Sequence, residues 1–328
     1  MCLTTSRWPR VQGLRTCSLE KRGRRRVAIK NIRDQAMDLR RIVDSSRRPP
    51  AVRAGLRSIA VLSGKGGVGK SNLSVNLALA MAERGRRVVL LDADMGMANV
   101  DLLCGLTPGL TLAHILRGES ALEDILLPLA ENVWILPGGP GVRELADLDE
   151  RLLSAFIDSL SALEGTADVL FIDTGAGIHK SVISFGAAAD DVLLVTTPEP
   201  TSIRDAYGAL KALAFSTAGK VDVTVAVNMA SSFEEGQDVA ERITAAASRF
   251  LGLTPRYGGA VLRDENVSLA VKKRTPLLKA FPDSEASGQV RAMAARILGL
   301  EEDHASPAPG RGIKSFFLRL ARSLGAGR

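Results

Sequence analysis

Short, nearly continuous apolar runs recur along the chain and alternate with longer stretches of helical period. The runs are Ser58-Ile59-Ala60-Val61-Leu62, Arg87-Val88-Val89-Leu90-Leu91, Val133-Trp134-Ile135-Leu136, Val169-Leu170-Phe171-Ile172, Val192-Leu193-Leu194-Val195 and Val221-Asp222-Val223-Thr224-Val225-Ala226-Val227. A strand with one wet face alternates apolar and polar residues, and most of these runs do not. They predict strands buried on both faces, joined by helices that cross over right-handedly. The pattern therefore predicts an α/β fold built on a doubly wound, mostly parallel sheet. Ligands of such sheets bind at the carboxyl ends of the strands, where the informative polar residues of this chain fall.

The first run feeds Gly64-Lys65-Gly66-Gly67-Val68-Gly69-Lys70-Ser71, and a segment from Leu73 to Met81, read as an amphipathic helix, follows. Strand, glycine-rich loop and helix form the context of a phosphate-binding loop. The glycines let backbone N–H groups close around phosphate oxygens, and the helix N-terminus favours an anion. Lys70 is placed to reach the β- and γ-phosphates, and the Ser71 hydroxyl suits Mg²⁺. No Asn-Lys-x-Asp guanine motif occurs, so the predicted ligand is ATP with Mg²⁺.

Two strands end in acids. The run at Val88–Leu91 leads into Asp92-Ala93-Asp94, and two carboxylates leaving an apolar strand need a cation, which a Mg²⁺-nucleotide supplies. Asp92 is assigned to the metal shell and Asp94 to orienting the attacking water. Turn formation is the plainer role for both, since Asp is a common turn residue. Val169–Ile172 runs into Asp173-Thr174-Gly175-Ala176-Gly177. Asp173 has the position of the acid that holds Mg²⁺, and the glycines allow the backbone to approach the γ-phosphate.

Composition limits the setting. The chain has 328 residues, 46% hydrophobic and 24% charged, enough for one large core. Its net charge of +7 is unevenly spread: residues 1–57 hold 16 Lys+Arg against 4 Asp+Glu, residues 58–300 hold 22 against 29, and residues 301–328 hold 5 against 3. An acidic core argues against a broad positive face for nucleic acid, so no specific DNA binding is predicted. Cys2, Cys17 and Cys104 form no C-x-x-C pair, which points to a reducing compartment rather than a disulfide framework. No apolar run is long enough for a membrane span or a signal peptide, and a cytoplasmic location is expected.

Lys65, a second lysine at the start of the loop, makes the motif resemble the deviant phosphate loop of the MinD/ParA ATPases. In that family this lysine reaches the nucleotide of a second subunit, which implies an ATP-bound homodimer and slow, dimer-dependent ATP hydrolysis, with Lys65, Lys70 and Asp94 as the catalytic set. The resemblance also makes Asn228, at the end of Val223–Val227, a reader of the adenine edge. A turn-capping role is the alternative for this residue. Thr197-Pro198-Glu199-Pro200-Thr201-Ser202-Ile203-Arg204-Asp205-Ala206-Tyr207 reads as a helix start and resembles a family segment used for nucleotide-dependent partner contacts.

Asp34-Gln35-Ala36-Met37-Asp38-Leu39-Arg40 narrows the resemblance, because it is similar to the Asp-Gln-Ala-x-x-Leu-Arg motif of the FlhG/FleN/YlxH branch, which controls flagellar number and placement. Met95–Asp101, Asp173–Gly177 and Phe281-Pro282-Asp283-Ser284 also resemble that branch, and the likeness covers roughly residues 30–300. It implies that Asp34, Gln35, Ala36, Leu39 and Arg40 stimulate an FlhF-like GTPase. Flagellar C-ring proteins or a flagellar transcription regulator are further implied partners. The branch's relatives leave three alternatives open: a MinD-type division regulator, a ParA-type partitioning ATPase, and an anti-activator that needs ATP but not its hydrolysis.

The ends of the chain differ from the core. Residues 1–29, with Arg22 and Arg24-Arg25-Arg26, read as a disordered basic extension, and residues 30–57 as the partner-activating segment ahead of an ATPase domain at 58–300. A Pro/Gly-containing linker at 301–312 precedes Ile313, Phe316, Phe317, Leu320, Ala321 and Leu324, which recur at helical spacing beside Lys314, Arg319 and Arg322. This predicts an amphipathic helix over 313–325 that meets an anionic membrane, reversibly and at its inner face, or packs on the protein's own core.

Overall fold

The computed structural model describes residues 55–94, 99–139, 141–145, 150–300 and 310–325. Eight strands form one sheet: β1 (Arg57–Leu62), β2 (Val88–Ala93), β3 (Leu127–Ala130), β4 (Val133–Pro137), β5 (Val169–Thr174), β6 (Asp191–Thr196), β7 (Asp222–Ala230) and β8 (Arg256–Leu262). Their order is β3-β4-β2-β5-β1-β6-β7-β8. Every pairing is parallel except β3 with β4. All six residues of β1, β2, β5 and β6 are buried, as their unalternating apolar runs require.

Two strands have no signal in the hydrophobic pattern. In β3 the proline Pro128 is tolerated because the strand lies at an edge, next to β4 alone. In β8 the pair Gly258-Gly259 dilutes the strand pattern, and β7 crosses so close that a Cβ on Gly258 would stand 2.7 Å from Thr224 Cγ2. Both strands form because neighbours pair with them, which a local pattern does not register.

Described helices of eight residues or more are α1 (Lys70–Glu83), α2 (Glu150–Leu160), α3 (Lys180–Ala188), α4 (Pro200–Thr217), α5 (Phe233–Leu251), α6 (Glu265–Lys272), α7 (Glu285–Ile297) and α8 (Ile313–Leu324). One face of the sheet is covered by α1 and α7, the other by α2, α3, α4, α5 and α8. Helix α1 departs from the expected amphipathic character. It is buried from Leu73 to Met81, because α7 covers the side turned away from the sheet.

Of the two seats expected for the apolar stripe of the C-terminal helix, it takes the protein's own core in this structure. Ile313, Phe316, Phe317 and Leu320 are at most 1% exposed and belong to the core, while Leu324 is partly buried against it. Phe317 meets Phe156 edge-on at 5.3 Å, and Phe316 stacks on Phe185 at 6.4 Å. The basic residues are engaged as well: Lys314 pairs with Asp158 at 2.9 Å and Arg319 with Asp190 at 3.2 Å. Aromatic burial on α2 and α3 accounts for this seat, since protein offers the stripe the same release from water that lipid would. Just before the helix, Gly310 bridges Gly55, and Gly312 N–H donates to the Leu56 carbonyl at 3.1 Å.

Phe316→Ala should therefore lower the stability of the whole chain by about 3–5 kcal/mol. Urea unfolding checks this, and an unchanged midpoint would mean that α8 is not part of the cooperative core.

Candidate active site

The loop Gly64–Gly69 joins β1 to α1, and its shape depends on two glycines. A Cβ on Gly64 would lie 2.0 Å from the Asp205 carbonyl oxygen of α4. Gly69 caps α1 at a φ of 81°, with Asn228 Nδ2 2.3 Å from where its Cβ would stand. Gly66 and Gly67 form the exposed crest, whereas Val68 is buried beneath it. Asn228 Nδ2 donates to the Val68 carbonyl at 2.9 Å, so this side chain braces the loop from β7.

Lys70, only 7% exposed, reaches back under the loop. Its Nζ donates to Asp173 Oδ1 at 2.9 Å and to the Thr174 carbonyl. Ser74, one turn further along α1, donates to the same Oδ1 at 2.9 Å. Asp173 Oδ2 is buried and has no hydrogen-bond partner, as is Thr197 Oγ1 at the end of β6. Thr174 Oγ1 donates to the Val61 carbonyl at 2.7 Å, holding the acidic strand end against β1.

Asp92 lies beside Asp173, its register partner across β2 and β5. Its carboxylate accepts from Asp94 N–H at 3.1 Å and Val100 N–H at 3.3 Å. Burial, and then the Asp173 charge, push Asp92 up to about 7 from the ordinary 3.8, against the lowering effect of those two N–H groups. Asp94 follows the strand, and its Oδ1 is 3.5 Å from where a Cβ on Gly175 would stand, so it faces the loop after β5.

These observations test the fit of a divalent cation. Of two adjacent buried carboxylates, Asp173 is paired with Lys70, and its second oxygen is orphaned. The donor set suits Mg²⁺, which takes one or two carboxylates beside phosphate oxygens. Ser71, Asp92 and Asp173 are the residues that would hold it, directly or through water.

Lys65 has a different address. Its Nζ lies at the rim, paired with Glu199 Oε2 at 2.8 Å and Thr201 Oγ1 at 3.3 Å near the start of α4. The lysine beside it holds the fully exposed Glu199 carboxyl below its ordinary value. Sequence reasoning missed Ser74, Thr174 and the Glu199 and Thr201 contacts to Lys65. A serine one turn into an apolar helix carries no recognisable signal, and the pairing of residues 65 and 199 depends on β1 and β6 being neighbours. Asp34, Gln35, Ala36, Leu39 and Arg40 lie outside the described residues.

Residues 56–128, which contain the loop and Asp92, match the ParA family model, described as a NUBPL iron-transfer P-loop NTPase. Antiactivator FleN of Pseudomonas aeruginosa is 44% identical over 260 residues, covering 79% of this chain and 91% of that protein. The chain belongs to the FleN/YlxH family of MinD/ParA-type P-loop ATPases. Flagellum site-determining protein YlxH of Helicobacter pylori is 34% identical across 81% of this chain and 90% of its own length. The septum site-determining protein MinD of Pyrococcus horikoshii, complexed with Mg-ADP, superposes with a TM-score of 0.59 at 27% identity, covering 75% of this chain and 97% of that one. No group of three or more His, Cys, Asp or Glu that could hold a metal occurs among the described residues.

The raised Asp92 value sets a pH dependence for the nucleotide-free chain. Between about pH 4 and pH 7 the folded form binds more protons at Asp92 than the unfolded form, so this group makes stability fall as pH rises across that window. Asp92→Asn should flatten the fall, so that the melting temperature at pH 8 approaches that at pH 5 more closely than in the parent. Equal pH profiles for parent and variant would count against the buried carboxylate pair.

Proposed function

We propose that this protein is an ATP-dependent dimerising switch that regulates flagellar number or placement. The observation that carries the dimer is the separation of the two lysines. Lys70 is buried on Asp173, while Lys65 stands at the rim on Glu199 and is 40% exposed at its side chain, available to a nucleotide held by a second copy. The flagellar assignment rests on the relatives, one named a flagellum site-determining protein and the other an antiactivator.

When bound, Mg²⁺ neutralises charge on the phosphate oxygens. Lys70 would leave Asp173 for the β- and γ-phosphates, and Ser71, Asp92 and Asp173 would hold the metal side of the nucleotide. Backbone N–H groups of Gly64 to Gly69 cradle the phosphates, and Asn228, beside Gly69, reads the adenine edge. Lys65 completes the site of the second copy. Asp94 positions the attacking water from the loop opposite Gly175, and slow hydrolysis returns the chain to a monomer.

The output surfaces lie at the two ends of the chain. Residues 34–40 act on an FlhF-like GTPase. Helix α8, seated on the core in the free chain, leaves that seat in the dimer and binds anionic lipid at the inner membrane face, where two weak anchors on one dimer act together. No described helix is long and apolar enough to cross a membrane, which suits a reversible attachment. The name of the antiactivator relative favours a second reading, in which the ATP-bound form sequesters a transcription regulator.

Asp94→Ala should accumulate a dimer with ATP but not with ADP, measured as mass by light scattering, and that dimer should sediment with anionic vesicles. A monomer under every condition would rule out the dimer switch. A dimer that ignores vesicles would rule out only the release of α8.

A further inference from the structure

Asp173 is bonded on one side only. Pairing of β5 with β1 and β2 fixes its backbone, yet its side chain has two donors, Lys70 Nζ and Ser74 Oγ, both on Oδ1 at 2.9 Å. The other oxygen, Oδ2, is buried without a partner. Lys70 is a temporary donor, because a lysine of a phosphate loop moves to the phosphates when nucleotide arrives. Once it moves, Ser74 is the one remaining donor to this carboxylate among the described residues.

We infer that Ser74 is a positioning residue for the metal side of the site. It holds Asp173 Oδ1 after Lys70 has left, and so keeps Oδ2 aimed at the place of the cation. This inference rests on the nucleotide reading of the site and adds a residue to it. Ser74 is suited to the task, being 0% exposed in the middle of a helix buried from Leu73 to Met81, where it cannot swing away to water. Its hydroxyl has one proton and a second acceptor, the Lys70 carbonyl at 3.0 Å. The carboxylate is the stronger claimant, since hydrogen bonds to an ionised acceptor are roughly twice as strong as neutral ones. A carboxylate left without this donor keeps its charge but gains rotamer freedom, and a divalent ion with strict octahedral demands is sensitive to that.

The state dependence separates this role from plain packing. In the nucleotide-free chain Lys70 still holds Oδ1, so Ser74→Ala should shift the melting temperature by no more than about 3 °C. The defect should appear only when nucleotide and metal are both present. The test uses the full chain and a fluorescent ATP analogue, titrated first in EDTA and then with Mg²⁺ at fixed analogue. Ser74→Ala should leave affinity in EDTA within about twofold of the parent and raise the Mg²⁺ concentration for half-maximal tight binding about tenfold. Ser74→Thr, which retains the hydroxyl, should restore it. If threonine is too large for the packed helix, Ser74→Cys, a weak donor of similar size, must fall between parent and alanine.

An unchanged Mg²⁺ midpoint in Ser74→Ala, or an equal loss of affinity with and without Mg²⁺, would overturn the inference and leave Ser74 as a packing residue. A parent protein that binds no nucleotide would instead overturn the reading of the site, and the role of Ser74 with it.

Discussion

A lysine buried beneath its own loop is the constraint on which the rest of the site depends. Lys70 is held at the end of β5 by a carboxylate and a carbonyl, and removing one partner of such a buried pair costs about 3–5 kcal/mol. The loop above therefore cannot relax independently of the sheet edge below. Gly64 lies against the backbone of α4, Asn228 braces Val68 from β7, and Thr174 ties β5 to β1. Strands β1, β5 and β7 and helices α1 and α4 thus all bear on the loop whose lysine is tied to β5.

The same neighbourhood links the site to the C-terminal helix. The loop after Asp173 leads directly into α3, and α3 is a seat for α8: Phe185 stacks on Phe316, and Lys180 Nζ donates to the Leu324 carbonyl at 2.8 Å. At its other end α8 is fastened near β1 through Gly312 to Leu56, and Arg319 in its middle pairs with Asp190. A helix held by aromatic burial together with a few ion pairs is stable on the core. It is also joined to the element that would respond to a γ-phosphate, and this gives the proposed release a physical route.

Much of the molecule was legible in the chain. Six strands are visible as short β-branched, mostly apolar runs, four of them buried throughout, and the glycine-rich loop, Asp92, Asp94 and Asp173 are visible because they follow such runs. Strands β3 and β8 were not, since Pro128 and Gly258-Gly259 are tolerated only for what lies beside them. Ser74 was invisible for a related reason: its partner is ninety-nine positions away, across a crossover.

By itself, the sequence determined the class of sheet, six of its strands, the glycine-rich loop and the amphipathic stripe of the last helix, because these depend on local period and residue chemistry. Tertiary structure decided where that stripe sits, which acid holds Lys70, and that Lys65 rests on Glu199. The physical reason is that an apolar stripe or a charged group specifies only that it needs a partner. Which partner it gets is decided by the strands that the sheet places side by side.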